Sequence, residues 1–328
     1  MSSNSNNQGW VWLSISTWLC LSMSLVLLNK WILYSLEFCE YHLANFYETL
    51  SSLFSDYPAF LATSHLMFNT ICSQLIVLTG GHVTKNTKTY IGIMKHLKLF
   101  APVAALMTFS IICGNMAYIQ LSVAFIQMLK AFSPVAVYII SCISGAAALN
   151  AAKCLDIALI SGGVVIATYG WSEPSAVGTL LQIVAVIADA VRLVLMQRIL
   201  STYDMNLEAF EMLYYLAPLS TLTGLLASLG LPFPSISEIQ GAWIYVMGSC
   251  VLSFCLNMIG FSVIKKTSSL TLSVCGILKD IGLIVLSLVL WKDEITVVSC
   301  VGYGTTLLGI MHYRHSGRSE ERSPRLGR

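Results

Sequence analysis

Two apolar stretches decide how this chain folds: SVAFIQMLKAFSPVAVYII at 122–140 and TLSVCGILKDIGLIVLSLV at 271–289. Each carries one lysine near its middle, Lys130 and Lys279, and these two lysines are separated by close to half of the 328-residue chain. A charged side chain near the centre of a bilayer is costly, and it is rare there without a partner or a function. Two lysines at matching places in two halves indicate one central site for an anionic ligand.

The composition predicts an all-α polytopic membrane protein. The chain is 56% hydrophobic and 10% charged, whereas soluble domains are about 25% charged. A run of about 20 apolar residues is long enough to span the hydrocarbon core as a helix. Ten such runs are predicted, or nine if the third and fourth are one helix. They lie at 10–34, 58–80, 98–119, 121–144, 154–170, 176–199, 210–231, 242–264, 268–291 and 295–313.

The positions of lysine and arginine predict which ends of the helices face the cytosol. If residues 1–9 are cytosolic, the opposite side holds only Lys292 and carries mostly acidic residues. We therefore expect a cytosolic N-terminus at 1–9, one transporter domain at 10–313 and a disordered basic cytosolic tail at 314–328. The basic residues assigned to the cytosol are Lys85, Lys88, Lys95, Lys98, Lys153, Arg198, Lys265, Lys266, Arg314, Arg318, Arg322, Arg325 and Arg328.

The predicted spans divide into two repeats, at about 10–170 and 176–313. Because each repeat has five spans, the second enters the membrane in the opposite sense, as in carriers that bind their substrate between inverted repeats. Pro134 cannot donate a hydrogen bond to the carbonyl of Lys130. The sequence thus predicts a kink beside a polar cavity, with a simple packing kink as the alternative.

Further charges lie inside the predicted spans. Asp189 and Arg192 are three residues apart on one helix face, so we expect them to pair, with a ligand-binding role for Arg192 as the alternative. Asp280 follows Lys279 directly and is open to pairing with another helix or to proton coupling. Lys30, near the outer end of the first span, either reaches the membrane interface or binds ligand. Cations outnumber carboxylates among these residues, which fits an anionic substrate.

Several long stretches match one known family in order along the chain. They are NKW at 29–31, GNMAYIQLSVAFIQMLKAFSPVAVYII at 114–140, RLVLMQRIL at 192–200, YYLAPLS at 214–220, KKTSSLTLSVCGILKDIGLIVLSLVLW at 265–291 and VGYGTTLLGIMHYRH at 301–315. On these residues the chain resembles the triose-phosphate translocator family, which belongs to the drug/metabolite transporter superfamily and also includes nucleotide-sugar transporters. The resemblance covers nearly the whole chain apart from the termini and one loop.

The resemblance implies a ten-helix antiporter that exchanges a phosphorylated solute for phosphate or a nucleotide monophosphate. The family's central lysines match Lys130 and Lys279, which would bind phosphate as mobile point charges. Bound phosphate would screen the two lysines from each other and so couple closure to occupancy. Neither an HExxH motif nor a clear pair of aspartates is present, so we expect no enzyme activity. We also expect no cofactor, metal or nucleic-acid partner. The expected partners are a small anionic phosphorylated substrate and the lipid bilayer, and a homodimer is left open.

The chain departs from the pattern of plastid members at several places. Those members have arginine after the second lysine, His-x-x-Thr-Asn on the third helix and Tyr-Asn on the eighth. Several groups of a compact sugar-phosphate site are therefore missing, and lysine followed by aspartate resembles the endomembrane branch. At the same places this chain has Asp280, then Ile111, Gly114 and Asn115, then Leu256 and Asn257.

These departures predict a bulkier substrate, a nucleotide sugar exchanged for a nucleotide monophosphate across the Golgi or ER membrane. The plastid envelope is disfavoured because the first nine residues do not resemble a transit peptide. A sugar-phosphate/phosphate translocator and a non-transporting membrane scaffold are the alternatives. The expected substrate-binding residues are Lys130, Lys279, Asp280, Asn115, Tyr118, Tyr214, Asn257, Arg192 and Lys30.

An insertion at 37–55 does not match the short first connection of relatives. It contains CEYHLANFYETLSSLFS at 39–55, with apolar residues at helical spacing. The spacing is compatible with a helix along the membrane surface, but an artefact of gene prediction, such as a retained intron, is the favoured interpretation. We assign the insertion no function.

Overall fold

The protein is a bundle of helices. The computed structural model describes residues 2–35, 57–79, 93–148, 150–171, 174–202, 209–229, 236–266, 269–292 and 295–322. Within these ranges the secondary structure is helical, without a strand. The helices are α1 (Ser2–Ser35), α2 (Pro58–Leu78), α3 (Ile93–Gln120), α4 (Val123–Lys130), α5 (Ser133–Ile143), α6 (Ala151–Tyr169), α7 (Ala176–Thr202), α8 (Ala209–Ser228), α9 (Ile236–Lys266), α10 (Ser269–Trp291) and α11 (Val297–Arg322).

Each predicted span corresponds to one helix, except the fourth, which consists of α4 and α5. The third and fourth spans are separate, because Ser122 starts α4 by accepting a hydrogen bond from the Phe125 amide at 3.2 Å. A side-chain oxygen at this place satisfies one of the amides that a helix start leaves without a partner. The alternative of nine spans is therefore wrong for this part of the chain.

The C-terminal helix is longer than the sequence predicted. Helix α11 continues past the predicted span to Arg322, so the expectation of disorder from residue 314 is wrong as far as residue 322. Arginine and glutamate favour helix, and the first proline after the span is Pro324. The insertion at 37–55 lies outside the described residues.

The outer surface of the bundle is apolar, as expected for a protein surrounded by lipid. Large apolar side chains such as Val165, Leu180 and Leu308 are 62–70% exposed, although soluble proteins rarely expose large continuous apolar patches. Among the described residues, five segments are long and apolar enough to cross a membrane. These segments are Leu13–Leu33, Pro58–Leu78, His96–Gln120, Val123–Ile143 and Ala176–Ile199. The predicted polytopic membrane fold is confirmed.

The helix contacts repeat between the two halves of the chain. Helix α3 packs on α7 and α8, and the equivalent helix of the second half, α9, packs on α1 and α2. The α5–α7 contact has its counterpart in α10–α1, and the remaining major contacts, α2–α8, α4–α10 and α6–α11, join equivalent helices. This pairing is what a two-fold relation between two five-span repeats produces.

Helix α4 lies at the centre of the bundle. All its residues from Val123 to Leu129 are buried, and Phe125 and Ile126 pack in a core cluster with Leu33 from α1 and Leu283 from α10. A helix that is apolar all round is stable only when it is surrounded. This burial fixes the position of Lys130, the last residue of α4.

Candidate functional site

The fourth span is interrupted at its lysine. Helix α4 ends at Lys130, Ala131 caps it, and α5 begins at Ser133 with Pro134 in its first turn. Around the break, the Phe132 amide bonds the Leu129 carbonyl at 3.0 Å. Proline suits the first turn of a helix because no partner is needed there for its missing N–H. The predicted kink is therefore a two-residue break in which Ala131 and Phe132 keep helical backbone angles, and it lies beside Lys130.

Lys130 contacts a tyrosine rather than a carboxylate. Its Nζ atom donates to the Tyr118 hydroxyl at 3.1 Å and lies 5.1 Å from the centre of the tyrosine ring. The same hydroxyl accepts a hydrogen bond from Gln127 Nε2 at 3.3 Å. Both contacts stabilise the ammonium group. The carboxylates of Asp189 and Asp280 line the two cavities beside it and attract it from a distance, without a hydrogen bond to it among the described residues.

Lys30 is buried and caps the end of helix α3, so it does not reach the membrane interface. Its side chain is 5% exposed, and its Nζ atom donates to the carbonyls of Tyr118 and Leu121, the latter at 3.0 Å. A lysine near a helix C-terminus satisfies carbonyls that have no partner within the helix. The expected snorkelling of Lys30 is thus replaced by capping, which places Tyr118 for its contact with Lys130.

A polar cavity of about 340 Å³ lies between α3 and α7. We call it the α3–α7 cavity. It includes three predicted site residues, Lys130, Tyr118 and Asn115, and the Asn115 amide donates to the Pro58 carbonyl at 3.2 Å. The complete lining is Ser110, Ile111, Gly114, Asn115, Tyr118, Lys130, Ser133, Gln182, Ala185, Val186 and Asp189.

A second cavity, of about 390 Å³, lies between the helix break and α11. We call it the α5–α11 cavity. Lys130 and Ser133 line both cavities, so the break separates them. Asp280 contributes the carboxylate of this second cavity. Its lining is Lys130, Ala131, Ser133, Pro134, Val137, Asp280, Tyr303, Leu307, Ile310 and Tyr313.

The remaining cations of the site are paired with carboxylates. Arg192 contacts Asp189 through Nε at 2.8 Å and through a terminal nitrogen at 2.7 Å, which confirms the predicted pair. Lys279 Nζ lies 3.2 Å from the carboxylate of Asp280. Lys279 itself lines neither of the two cavities. Lys130 and Asp280 therefore line the same cavity, whereas Lys279, the residue before Asp280, does not.

Two predicted ligand residues lie elsewhere, because neither Tyr214 nor Asn257 lines either cavity. The Tyr214 carbonyl accepts from Gln74 at 3.3 Å, and its ring contacts the Tyr215 ring. Asn257 donates to Asn69 at 3.4 Å, in a row of polar contacts between α2 and α9. Asn69 also bonds Ser253 at 3.3 Å, and His65 bonds Ser249 at 2.8 Å. Helix-to-helix bonds of this kind join membrane helices.

Two positions at which the sequence differs from the expected plastid pattern, Ile111 and Gly114, line the α3–α7 cavity, next to the matching Asn115. Asp280 lines the α5–α11 cavity, and Leu256 lines neither. A Cβ atom added at Gly114 would meet no atom within 4 Å, so the missing side chain leaves free space. The departures therefore change the shape of this cavity directly.

Sequence reasoning missed five polar side chains of the site: Ser110, Ser133, Gln182, Tyr303 and Tyr313. Gln182 had a detectable signal, because it is a single amide within the apolar stretch AVGTLLQIVAVIADAV at 176–191. Serine and tyrosine are common in membrane helices and carry no such signal. Among the described residues, no group of histidine, cysteine, aspartate or glutamate could hold a metal ion.

Comparison with known proteins finds one family over nearly the whole chain. A model of the Triose-phosphate Transporter family matches residues 11–314. Two proteins of Arabidopsis thaliana named "Probable sugar phosphate/phosphate translocator" are 32% identical over 310 and 307 residues, which cover 92% of this chain and 82% of each relative. A third protein of that name and organism is 28% identical over 316 residues, or 94% of this chain and 87% of the relative.

Proposed function

Because this chain belongs to the Triose-phosphate Transporter family, we propose that it is a secondary-active antiporter that exchanges a small sugar phosphate for inorganic phosphate. The observation that carries the proposal is the environment of Lys130. Four predicted intramembrane cations are described: Lys30, Lys130, Arg192 and Lys279. Among them, Lys130 lines both cavities and contacts a neutral hydroxyl, whereas the other three contact a carboxylate or a helix end. An anionic ligand would supply the missing charge.

The helix break adds a second favourable element for an anion. Ser133 opens helix α5 and lines both cavities beside Lys130. The N-terminus of a helix carries a partial positive charge. At the start of α5 the Val135 and Ala136 amides already bond the Phe132 carbonyl and Pro134 has no N–H, so the donors that remain are those of Ser133. A phosphate group between Lys130 and the start of α5 would therefore meet a cation and a helix dipole of the same sign, as anionic substrates do at the broken helices of other carriers.

The sugar-phosphate class fits the site better than the nucleotide-sugar class that the sequence favoured. Cavities of about 340 and 390 Å³ are near the lower end of the roughly 300–1,000 Å³ range of ligand pockets. The curated relatives are named as sugar phosphate/phosphate translocators. Both observations favour the smaller substrate and the alternative that the sequence left open.

Exchange rather than one-way transport follows from the charge of the empty site. Without ligand, closing the helices around Lys130 would bury an ammonium group that no carboxylate contacts directly, which is unfavourable in a membrane. A bound phosphate compensates this charge, so the loaded carrier can change its conformation and the empty carrier is held back. Each phosphate that leaves must then be replaced before the return step.

The proposal is tested by counter-exchange in proteoliposomes loaded with phosphate. We expect labelled phosphate and glucose 6-phosphate to enter loaded vesicles but not empty ones. Lys130→Ala should raise the phosphate KM more than about tenfold, because a hydrogen bond to a charged group contributes about 1.5–3 kcal/mol. Lys98→Ala, which removes an exposed lysine at the other end of the α3 segment, is the matched control and should behave as wild type.

Two outcomes would overturn this assignment. Uptake that requires loading with UMP or GMP instead of phosphate would identify a nucleotide-sugar exchanger. Absence of exchange with every solute, from protein that melts cooperatively, would support the non-transporting scaffold. Residence in the Golgi or ER stays a prediction, which colocalisation of a fluorescent fusion with organelle markers tests.

A further inference from the structure

Gln182 lies in the wall of the α3–α7 cavity but has no established role. It shares one face of α7 with Ala185, Val186 and Asp189, which line the same cavity and follow it at spacings typical of a helix face. Its side chain is 1% exposed. The residue is thus fixed in place, a full two helical turns from the Asp189–Arg192 pair.

The side-chain oxygen of Gln182 has no hydrogen-bond partner. Its Oε1 atom is buried and unpaired among the described residues. Buried polar atoms without a partner are uncommon in native proteins, and each requires an explanation. A ligand in the adjoining cavity that donates a hydrogen bond would provide one.

Two polar side chains of the same cavity wall are already bonded to the protein backbone. The Ser110 hydroxyl donates to the Ala185 carbonyl at 2.9 Å, and the Asn115 amide nitrogen donates to the Pro58 carbonyl at 3.2 Å. The Gln182 amide keeps its acceptor oxygen for a ligand, and its nitrogen adds a donor. A hydroxyl group can both donate and accept, so it matches this amide, whereas the oxygen of an ionised phosphate can only accept.

We propose that Gln182 recognises a hydroxyl group in the sugar portion of the substrate while Lys130 binds its phosphate. This inference rests on the proposed function and deepens it, because it assigns opposite ends of one substrate to opposite chemistries in one cavity. Lys130 supplies a cationic donor, and the Gln182 side chain supplies a neutral amide. The carrier should therefore prefer hydroxylated phosphates over phosphorylated acids without hydroxyl groups.

The test compares three solutes in phosphate-loaded proteoliposomes: inorganic phosphate, glucose 6-phosphate and phosphoenolpyruvate, which has no hydroxyl group. Gln182→Met keeps the length and unbranched shape of the side chain and removes the acceptor. We expect the KM for glucose 6-phosphate to rise about three- to tenfold more than the KM for either other solute, as loss of one hydrogen bond predicts. Gln74→Leu is the control, because the Gln74 amide already bonds the Tyr214 carbonyl and lies outside both cavities.

The outcomes separate this inference from the proposed function. If wild type exchanges phosphate but Gln182→Met changes the three KM values equally or not at all, the recognition role is wrong. If wild type does not exchange phosphate, the proposed function fails and this inference fails with it. A measurement on wild type serves if Gln182→Met does not fold: glucose 6-phosphate should compete with phosphate uptake more strongly than phosphoenolpyruvate does, and the reverse order would overturn the inference.

Discussion

Single residues with the same charge have different tasks in this protein. Lys30 caps helix α3 through two main-chain carbonyls, whereas Lys279 pairs with the carboxylate of Asp280. Lys130 contacts only a neutral side chain among its hydrogen-bond partners and faces both cavities. A buried cation is stable where carbonyls or a carboxylate compensate it. Of these three lysines, Lys130 is consequently the one at which an added anion would make a direct charge contact that is not already made.

Replacement of Lys30 by methionine tests its capping role. The variant leaves the Tyr118 and Leu121 carbonyls without this donor in apolar surroundings, and the loss of such a buried bond costs about 1–3 kcal/mol. We expect a lower apparent melting temperature in detergent and a phosphate KM that changes little. Lys98→Met, at an exposed position, is the control. A raised phosphate KM with an unchanged melting temperature would instead make Lys30 a ligand of the substrate.

At the scale of whole helices, the two repeats differ where their lysines lie. Aligning Lys130 on Lys279 places Leu283 opposite Pro134. The fourth span breaks at its lysine, but α10 continues without interruption from Ser269 to Trp291. A proline removes a helical hydrogen bond and a leucine does not. The break therefore lies where Lys130 borders two cavities. Lys279 has no such break, which explains why the two lysines match in the sequence but differ in their surroundings.

Helices α6 and α11 approach each other closely at Gly302, and a single methyl group added there should disturb their contact. A Cβ atom on Gly302 would lie 2.3 Å from the Ala167 nitrogen and 2.8 Å from the Gly163 carbonyl oxygen. Small residues permit such approach between membrane helices. Gly302→Ala should therefore cost about 1–3 kcal/mol through overpacking and lower the apparent melting temperature in detergent.

Gly304 provides the matched control for this contact. It lies on the same helix, and a Cβ atom added there would meet nothing within 4 Å. Gly304→Ala should melt at the wild-type temperature or slightly above it, because alanine favours helix. Equal melting temperatures for the two variants would show that the α6–α11 contact is not a tight one.

In the whole molecule, the two cavities lie on either side of Lys130. The α3–α7 cavity is lined by the part of α3 from Ser110 to Tyr118, nearer the end that the charge distribution predicts to lie outside the cytosol. The α5–α11 cavity is lined by the part of α11 from Tyr303 to Tyr313, whose predicted cytosolic end follows it. We therefore predict that the first cavity is reached from outside the cytosol and the second from the cytosol.

Cysteine labelling tests this two-sided arrangement. In a background without reactive native cysteines, we expect a membrane-impermeant thiol reagent to modify Val137→Cys from the cytosolic side and Gly114→Cys from the opposite side. Phosphate should slow both reactions, since both cavities border Lys130. Ile139→Cys, a position that is 43% exposed on the outer surface, should react with a lipid-soluble reagent only. Modification of Val137→Cys and Gly114→Cys from one side alone would contradict the arrangement.

Apolar runs, motifs and helical periodicity are enough to predict the helices, the family and the local contacts along each helix. The spans follow from apolar runs, the break follows from Pro134, and the Asp189–Arg192 pair follows from helical periodicity. These features depend on neighbours within a few residues, so they can be inferred without knowledge of the fold.

Which side chains from different helices meet could be read from the fold alone. It placed Gln182 in the cavity, directed Tyr214 and Asn257 to other helix contacts, and separated the roles of Lys30, Lys130 and Lys279. In a membrane, apolar residues cover both the lipid-facing and the inward sides of a helix, so hydropathy does not tell one side from the other. That choice depends on how residues far apart in the chain pack against each other.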